Sequence, residues 1–518
     1  MNLPTSVIAL LPEYVLTLTG VLIMLIEAVL KPATSRKALG WLAIAGTTVT
    51  GFISYYQLRL GPLTAFSGSI RVDAFSIFFH LLIGAVVVAT LLGSLDYFDG
   101  HASHAGEYYA LVLFGAVGMM LMTCSVELLM VFIGLEISSI STYILAGFRK
   151  GHGTAVESSI KYFLLGSFAT AFFLYGIALA YGATGSTTIA AIAAGLTTSA
   201  TPRMAFLALG MMIVGLGFKV SAAPFHVWTP DVYQGAPAPV VAMMSTAPKA
   251  AAFAVLLRIT FIGFPQMQHR WSLLIWGLAA LSMTIGNLGA LKQTDVKRLL
   301  AYSSIAHAGY LLVAFTAFAP TGVAAACFYT AAYAAMNVGA FLVVTQIGGY
   351  KETLRSIKDY RGLALRRPVL AALLAFFLLS LVGIPFTGGF FGKFYVFSAA
   401  LQAGHVWIAV IGLLNSGFAC YYYLRLLGSL YTRPAEESGI AKQTEADLEP
   451  TAAVSVPAGI ALALTAAATL LLGIFPNHVL HLANFASSSL GATSTLSQTE
   501  PCAGSSASVS ASTSSSTQ

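Results

Sequence analysis

Nine ionisable side chains sit in stretches otherwise fit for hydrocarbon: Glu127, Glu136, Lys161, Lys219, Lys249, Lys393, His80, His226 and His307. An ionised group at the centre of a bilayer is costly, so such residues turn toward a bundle interior or a hydrated cavity. Burial lowers the pKa of an amine and raises that of a carboxyl, which brings both toward the range where a proton changes hands. Arginine would stay protonated, and the mid-stretch positions carry lysine. The set is suited to moving protons, with His307 in LLAYSSIAHAGYLL placed to pass them between amines. Structural readings compete. Glu127, Arg258 and Arg425 lie near the ends of their stretches, where an interhelical ion pair or a snorkelling side chain serves as well. His307 could also be a neutral ring bonded between helices, and for His226, beside a helix break, either role is open.

Two of the lysines come with interrupted backbone. Lys219 sits in GFKVSAAPFHVWTPDVYQGAPAPVV, broken by Pro224 and Pro230, and Lys393 in LVGIPFTGGFFGKFYVF, broken by Pro385, Gly388 and Gly389. Irregular backbone at membrane depth is tolerated where it is buried in protein or lines a hydrated cavity. Glu136 and Lys219 are 83 residues apart, and His307 and Lys393 are 86 apart. That echo predicts two copies of a five-helix unit, at 108–262 and 273–427, inverted because the unit holds an odd number of helices.

The elements that must position these residues follow from composition. Of 518 residues, 57% are hydrophobic and 9% charged, far below the roughly 25% charged residues of a soluble domain, so a soluble enzyme is excluded. Fourteen spans are expected, at 8–30, 38–58, 75–95, 108–124, 126–146, 159–181, 204–226, 239–262, 273–291, 299–318, 322–347, 369–401, 405–427 and 456–475, giving an all-α polytopic membrane protein. The first three form an N-terminal segment over 1–107, and 428–476 holds a loop and the last span. The start lacks the basic region and cleavage site of a signal peptide, so the first stretch reads as a retained helix. Residues 182–203 read as a small-residue loop with room for a short surface helix. The Ser/Thr/Ala-rich tail over 487–518 is expected to be disordered.

Loop charges orient the bundle. One alternate set of loops holds sixteen Lys and Arg, among them Arg149, Lys297, Lys351 and Arg355, while the other holds only Arg59, Arg71, Arg203 and Arg270. Basic residues stay cytoplasmic, so both termini are expected outside. This bias explains most of the net charge of +7 and removes nucleic acid as a partner. The four cysteines, Cys124, Cys327, Cys420 and Cys502, have no C-x-x-C spacing, so no zinc or iron–sulfur ligand set is visible, and no metal or cofactor is expected in this chain. His101 and His104 near Asp96 and Asp99, like His478 and His481, read as solvated loop residues. Phosphate-loop and dinucleotide motifs are absent, and no strands are expected. Energy must come from an ion gradient or from partners.

The stretches VELLMVFIGLEISSISTYILAGF, ESSIKYFLLGSFATAFFLYG, the broken segment around Lys219 continuing through MMSTAPKAAAF, QTDVKRLLAYSSIAHAGYLLVAF and GIPFTGGFFGKFYVF resemble the antiporter-like subunits of respiratory complex I over about 108–427. Within that family the chain looks like the subunit N branch of bacterial NADH–quinone oxidoreductase, counterpart of the mitochondrial subunit 2. Lys393 stands where the subunit M pattern has glutamate, and no long lateral helix like that of subunit L follows the bundle. The tail exceeds the family pattern. The resemblance implies that Glu136 on the fifth helix and Lys219 on the broken seventh form a coupling pair. It makes Lys249 the central lysine of the eighth helix and Lys393 the lysine of the broken twelfth, with Lys161 and His226 at recurrent polar positions. It further implies proton translocation in a bacterial inner membrane beside subunits M and K and the lateral helix of subunit L. FMN, iron–sulfur clusters and quinone would lie in partner subunits. A cation/proton antiporter subunit and a non-transporting scaffold are the competing functions.

Overall fold

The computed structural model describes residues 4–31, 34–99, 105–149, 151–198, 201–433 and 454–496. Among the described residues thirteen helices are long and apolar enough to cross a membrane, Leu11–Val29, Lys37–Leu60, Ala74–Phe98, Ala105–Cys124, Leu128–Ala146, Gly153–Thr184, Pro202–Val220, Ala238–Gly263, Pro265–Leu291, Val296–Thr316, Pro320–Gly348, Val406–Tyr431 and Val456–Ile474, and a further span, twelfth in order, is divided into Pro368–Val382 and Gly388–Gln402. The count and order are those expected from the sequence. The twelfth is two half-helices, and the seventh continues past its break as Trp228–Gly235.

Both breaks have local causes. The seventh span ends at Val220 because Ser221 turns left-handed at φ 63°. In the twelfth, Gly383 at φ 97° ends the first half, with its N–H and that of Ile384 folded back on Leu379. Pro385 follows and has no N–H to continue the ladder. The second half then starts hard against the first: a Cβ on Gly389 would lie 1.9 Å from the Ser380 carbonyl oxygen, so only glycine fits.

Two successive runs of five spans, the fourth to eighth and the ninth to thirteenth, share a packing pattern. In each, the first helix lies along the second and the third along the broken fourth. Backbones meet at Gly118 and Gly134 in the first run and at Gly286 and Gly309 in the second, the close approach by which helices associate without a hydrophobic drive. The sixth span presents Phe163, Leu164, Phe168 and Tyr175 outward, as a lipid-facing or partner-facing helix does. The eighth, tenth and eleventh spans are almost wholly enclosed. Lys249 and His307 therefore lie in the least accessible helices of the bundle.

Three features depart from expectation or refine it. A small antiparallel hairpin, Leu63–Ala65 with Ile70–Val72, occupies the loop before the third span, where no strand was expected. The small-residue loop contains the helix Ile189–Thr198. The expected disorder from 487 is corrected over its first ten residues, because the helix Pro476–Leu496 runs through them. Ala483, Ala486 and Leu490 recur on one buried face of it, Ser487 donates to the Pro320 carbonyl at 2.7 Å, and Ser489 accepts from the Phe75 N–H at 3.1 Å. Small residues let that face seat between the third and eleventh spans. His101, His104, and the tail from 497 lie outside the described residues.

Candidate functional site

Lys219, on the last turn before the first break, is 4% exposed. Its Nζ donates to Ser139 Oγ at 3.0 Å and to the Tyr162 hydroxyl at 3.5 Å, and it faces the rings of Tyr143 and Tyr162. Ser139 sends its own hydrogen to the Leu135 carbonyl, which leaves its lone pairs to Lys219. Glu136 is one turn away on the same fifth span, and its Oε1 is buried without a hydrogen-bond partner. The expected coupling residues thus face the same region with the lysine engaged by serine, and no ion pair between Glu136 and Lys219 occurs among the described residues.

Lys249 is buried on the eighth span and donates to Ser304 Oγ at 2.6 Å. The Tyr333 hydroxyl donates to the same Ser304 at 2.7 Å, and the lysine faces the Tyr233 ring. One turn along the tenth span, His307 bonds through Nδ1 to the Tyr329 hydroxyl at 2.7 Å and through Nε2 to the Tyr423 hydroxyl at 3.3 Å. Tyr423 also bonds Ser303. The spacing of Ser303, Ser304 and His307 puts all three on one side of a helix. A small cavity lined by Thr246, Lys249, Ser304, His307, Thr330 and Tyr333 has room for about one water molecule.

Lys393 begins the far side of the second break. Its Nζ donates to the carbonyls of Leu381 at 3.2 Å and Val382 at 2.8 Å, the groups released where the half-helix ends. A cation belongs at the negative end of a helix dipole. The same Nζ lies 4.8 Å above the Tyr310 ring, and Tyr310 packs edge-on against His307 with centroids 5.6 Å apart. Lys249, His307 and Lys393 therefore share one contiguous polar and aromatic seam.

Other sequence candidates fall elsewhere. Lys161 is not enclosed: its side chain is 42% exposed and pairs with Glu157 and Asp231 at the surface. Its long stem carries the amine out of the bundle to these two carboxylates, which explains the difference. His226 lies half-buried in the first break with Nδ1 unpartnered, and among the described residues no hydrogen bond joins it to Lys219 or Lys249. Glu127 caps the fifth span by accepting from Leu129 and Met130 N–H, Arg425 donates to the carbonyls of Leu291 and Gln293, and Arg258 pairs with Asp73 at 2.7 Å, all structural roles.

Sequence reasoning missed the serines and tyrosines that bond or face the lysines and His307, and it missed Glu352. That carboxylate is buried after the eleventh span, at the bundle end rich in loop Lys and Arg, with its backbone at φ 47°. It bonds Lys297 at 2.7 Å, Arg149 at 2.9 Å, the Tyr97 hydroxyl at 2.8 Å and the Ala238 N–H at 2.7 Å. Burial alone would raise its pKa, but Lys297 and Arg149 outweigh it and hold the carboxyl below the usual range. Lys297 also donates to the Ala236 carbonyl, so this cluster grips the linker from the seventh span to the eighth from both sides.

Comparison with known proteins accords with this geometry. The family described as NADH:quinone oxidoreductase/Mrp antiporter, TM matches residues 125–419. A protein of Koribacter versatilis named NADH-quinone oxidoreductase subunit N 2 is 51% identical over 485 residues, spanning 92% of this chain and 96% of its own length. A chain of respiratory complex I from Thermus thermophilus superposes with TM-score 0.75 at 36% identity, covering 91% of this chain and 99% of that one. A chain of the Mrp complex from Dietzia sp. reaches TM-score 0.79 at 22% identity, over 94% and 99%, and shares the fold.

Proposed function

Because the chain belongs to the NADH-quinone oxidoreductase subunit N family, we propose that it moves protons across a bacterial inner membrane along Glu136, Lys219, Lys249, His307 and Lys393. Ionised Glu136 would stabilise the proton on Lys219; drawing Glu136 toward another partner would release that proton toward Lys249. His307, with its tyrosines and intervening water, would carry it on to Lys393 for release outside. Lys161 and His226 would join this relay in supporting roles. The observation that carries this reading is the cluster in which Lys249 and Tyr333 both bond Ser304 while the Tyr333 ring lies 5.1 Å from the His307 ring, because hydroxyls and an imidazole are groups that can both give and take a proton.

The segment 1–107 would brace two inverted units at 108–262 and 273–427, with both termini on the outer side and the basic loops in the cytoplasm. Electron transfer would take place on FMN, iron–sulfur clusters and quinone held by partner subunits. Subunits M and K and the lateral helix of subunit L would be the neighbours in the membrane arm. Moving one charge against 100 mV requires about 2.3 kcal/mol. A change of one pKa unit on a relay group supplies about 1.4 kcal/mol, so modest rearrangements suffice.

The test is Lys219→Ala and Glu136→Ala in the assembled complex, reconstituted in vesicles. Both should greatly reduce proton pumping and coupled turnover; full assembly with normal pumping would remove the relay. The family description also spans Mrp antiporters. An antiporter would exchange cations for protons in vesicles without electron donor, and a scaffold would tolerate Lys249→Met and Lys393→Met with pumping intact.

A further inference from the structure

A second group of buried titratable side chains lies away from the lysine seam, in the N-terminal segment and ahead of the stretch matched by the family. Glu13, in the first turn of the first span, is 3% exposed. Its Oε1 lies 3.7 Å from His80 Nε2 on the third span and 4.0 Å from Cys124 Sγ at the end of the fourth. Glu13 Oε2 and His80 Nδ1 are both buried without a hydrogen-bond partner. Three helices thus bring a carboxyl, an imidazole and a thiol to one point and leave an acceptor on each of the first two open.

The bonds that do exist fix the state of the imidazole. His80 Nε2 is 3.2 Å from the Met120 carbonyl, which can only accept, so Nε2 bears hydrogen and Nδ1 holds the lone pair. The charged neighbours are settled among themselves. Arg258, at the end of the eighth span, binds Asp73 at 2.7 Å and the Thr123 carbonyl at 3.1 Å, and Arg71 approaches Asp73 at 3.9 Å. Thr123 donates to the same Met120 carbonyl that His80 uses, so the arginine and the imidazole belong to one network. None of the three charged groups makes an ion pair with Glu13 among the described residues. An isolated buried carboxylate is too costly to persist without a proton or a cation close by. Among the described residues the open lone pair of this group is that of His80 Nδ1, since Nε2 already bears hydrogen.

From this geometry we infer that Glu13 and His80 form a second proton-exchange site, holding one transferable proton between carboxyl and imidazole. When the proton leaves Glu13, the carboxyl O–H bond breaks and, with a water molecule as carrier, an N–H bond forms at Nδ1, because Nε2, which faces Glu13, already bears hydrogen; the resulting carboxylate and imidazolium neutralise each other across the Oε1–Nε2 contact of 3.7 Å. Loss of that proton to solvent leaves the carboxylate with the Cys124 thiol as its hydrogen-bond donor. The site lies at the bundle end whose loops are poor in Lys and Arg, opposite Glu352. It rests on no step of the lysine relay.

The experiment uses the whole assembled complex. Infrared difference spectra recorded across a pH titration should contain a protonated-carboxyl band that disappears in Glu13→Gln and shifts in His80→Gln, while Cys124→Ser leaves it in place. Protons pumped per NADH, measured in vesicles, should fall at least about twofold in Glu13→Gln with a changed pH profile. If no titrating carboxyl band depends on Glu13, or if the band is insensitive to His80, the inference is overturned. The spectra report on this pair even in a Lys219→Ala background, so failure of the relay and failure of this site are separable.

Discussion

Lys219 Nζ sits 3.0 Å from Ser139 Oγ and makes no ion pair with Glu136, one helical turn away. On the proposed relay the serine would be a rest position for the amine. It accepts a hydrogen bond without neutralising charge, so Lys219 is held while Glu136 stays free to take another partner. Ser139→Ala removes that acceptor. A hydrogen bond to a charged group contributes about 1.5–3 kcal/mol. The amine is then expected to close on Glu136, and pumping should fall by less than in Lys219→Ala while its dependence on Glu136 sharpens. A Ser139→Ala complex with wild-type rates and an unchanged response to Glu136→Gln would contradict the rest-position reading.

The second prediction concerns the tyrosines around His307. Tyr329 bonds the ring at Nδ1 and Tyr423 at Nε2, so each nitrogen has one hydroxyl with which to exchange hydrogen. Tyr329→Phe leaves one buried nitrogen unpartnered, at about 1–3 kcal/mol. If that cost falls on the transfer step, pumping slows roughly fivefold to a hundredfold. The double variant Tyr329→Phe with Tyr423→Phe should be no worse than His307→Ala, because on the proposed relay the three would act in series. Initial rates of vesicle acidification in the assembled complex would decide.

Glu352 gives a prediction about stability and acid. Removing one partner of a buried ion cluster leaves the remaining charges uncompensated, at about 3–5 kcal/mol. Glu352→Gln, which strands Lys297 and Arg149, should therefore lower the unfolding temperature of the complex and loosen the linker held at Ala236 and Ala238. Its carboxyl is held below its ordinary pKa. The contribution is complete above the pKa of the unfolded carboxyl and is lost as pH falls through the depressed folded value. Wild type should lose stability with acid through that window more steeply than Glu352→Gln. Thermal melts across the acid range would show equal slopes if the cluster were inert.

The sequence made the helices and the lysines legible, because an amine in an apolar stretch is conspicuous and the prolines and glycines near Lys219 and Lys393 mark the breaks. It left the connections unread. Ser139, Ser304, Tyr333 and Tyr423 are ordinary residues for a helix interior, and only the packing of the fifth, tenth, eleventh and thirteenth spans brings them to the lysines and His307. Glu352 escaped because a glutamate in a basic loop reads as solvated; what buries it is contact with residues more than fifty positions away in sequence. Lys161 erred the other way, since its stretch is apolar while its own side chain reaches the surface. The tail helix Pro476–Leu496 was unreadable because Ser and Ala suit both a disordered chain and a tightly seated helix.

The last prediction tests whether the second break positions Lys393. Gly389 opens the half-helix that carries this lysine, and a methyl group there would meet the Ser380 carbonyl at 1.9 Å, inside any tolerable contact. Gly389→Ala must push the two half-helices apart. Lys393 then loses the carbonyls of Leu381 and Val382, which fix its Nζ at 3.2 and 2.8 Å. Gly417 on the thirteenth span supplies the control, since nothing lies within 4 Å of a Cβ built there and alanine gains about 1 kcal/mol of helix propensity over glycine. Gly417→Ala should therefore assemble and pump as wild type. Gly389→Ala should lose most of its pumping even in the fraction that assembles, measured as acidification per assembled complex. Normal pumping by that fraction would show that the amine works without its carbonyl seat, and the break would then be a packing feature alone.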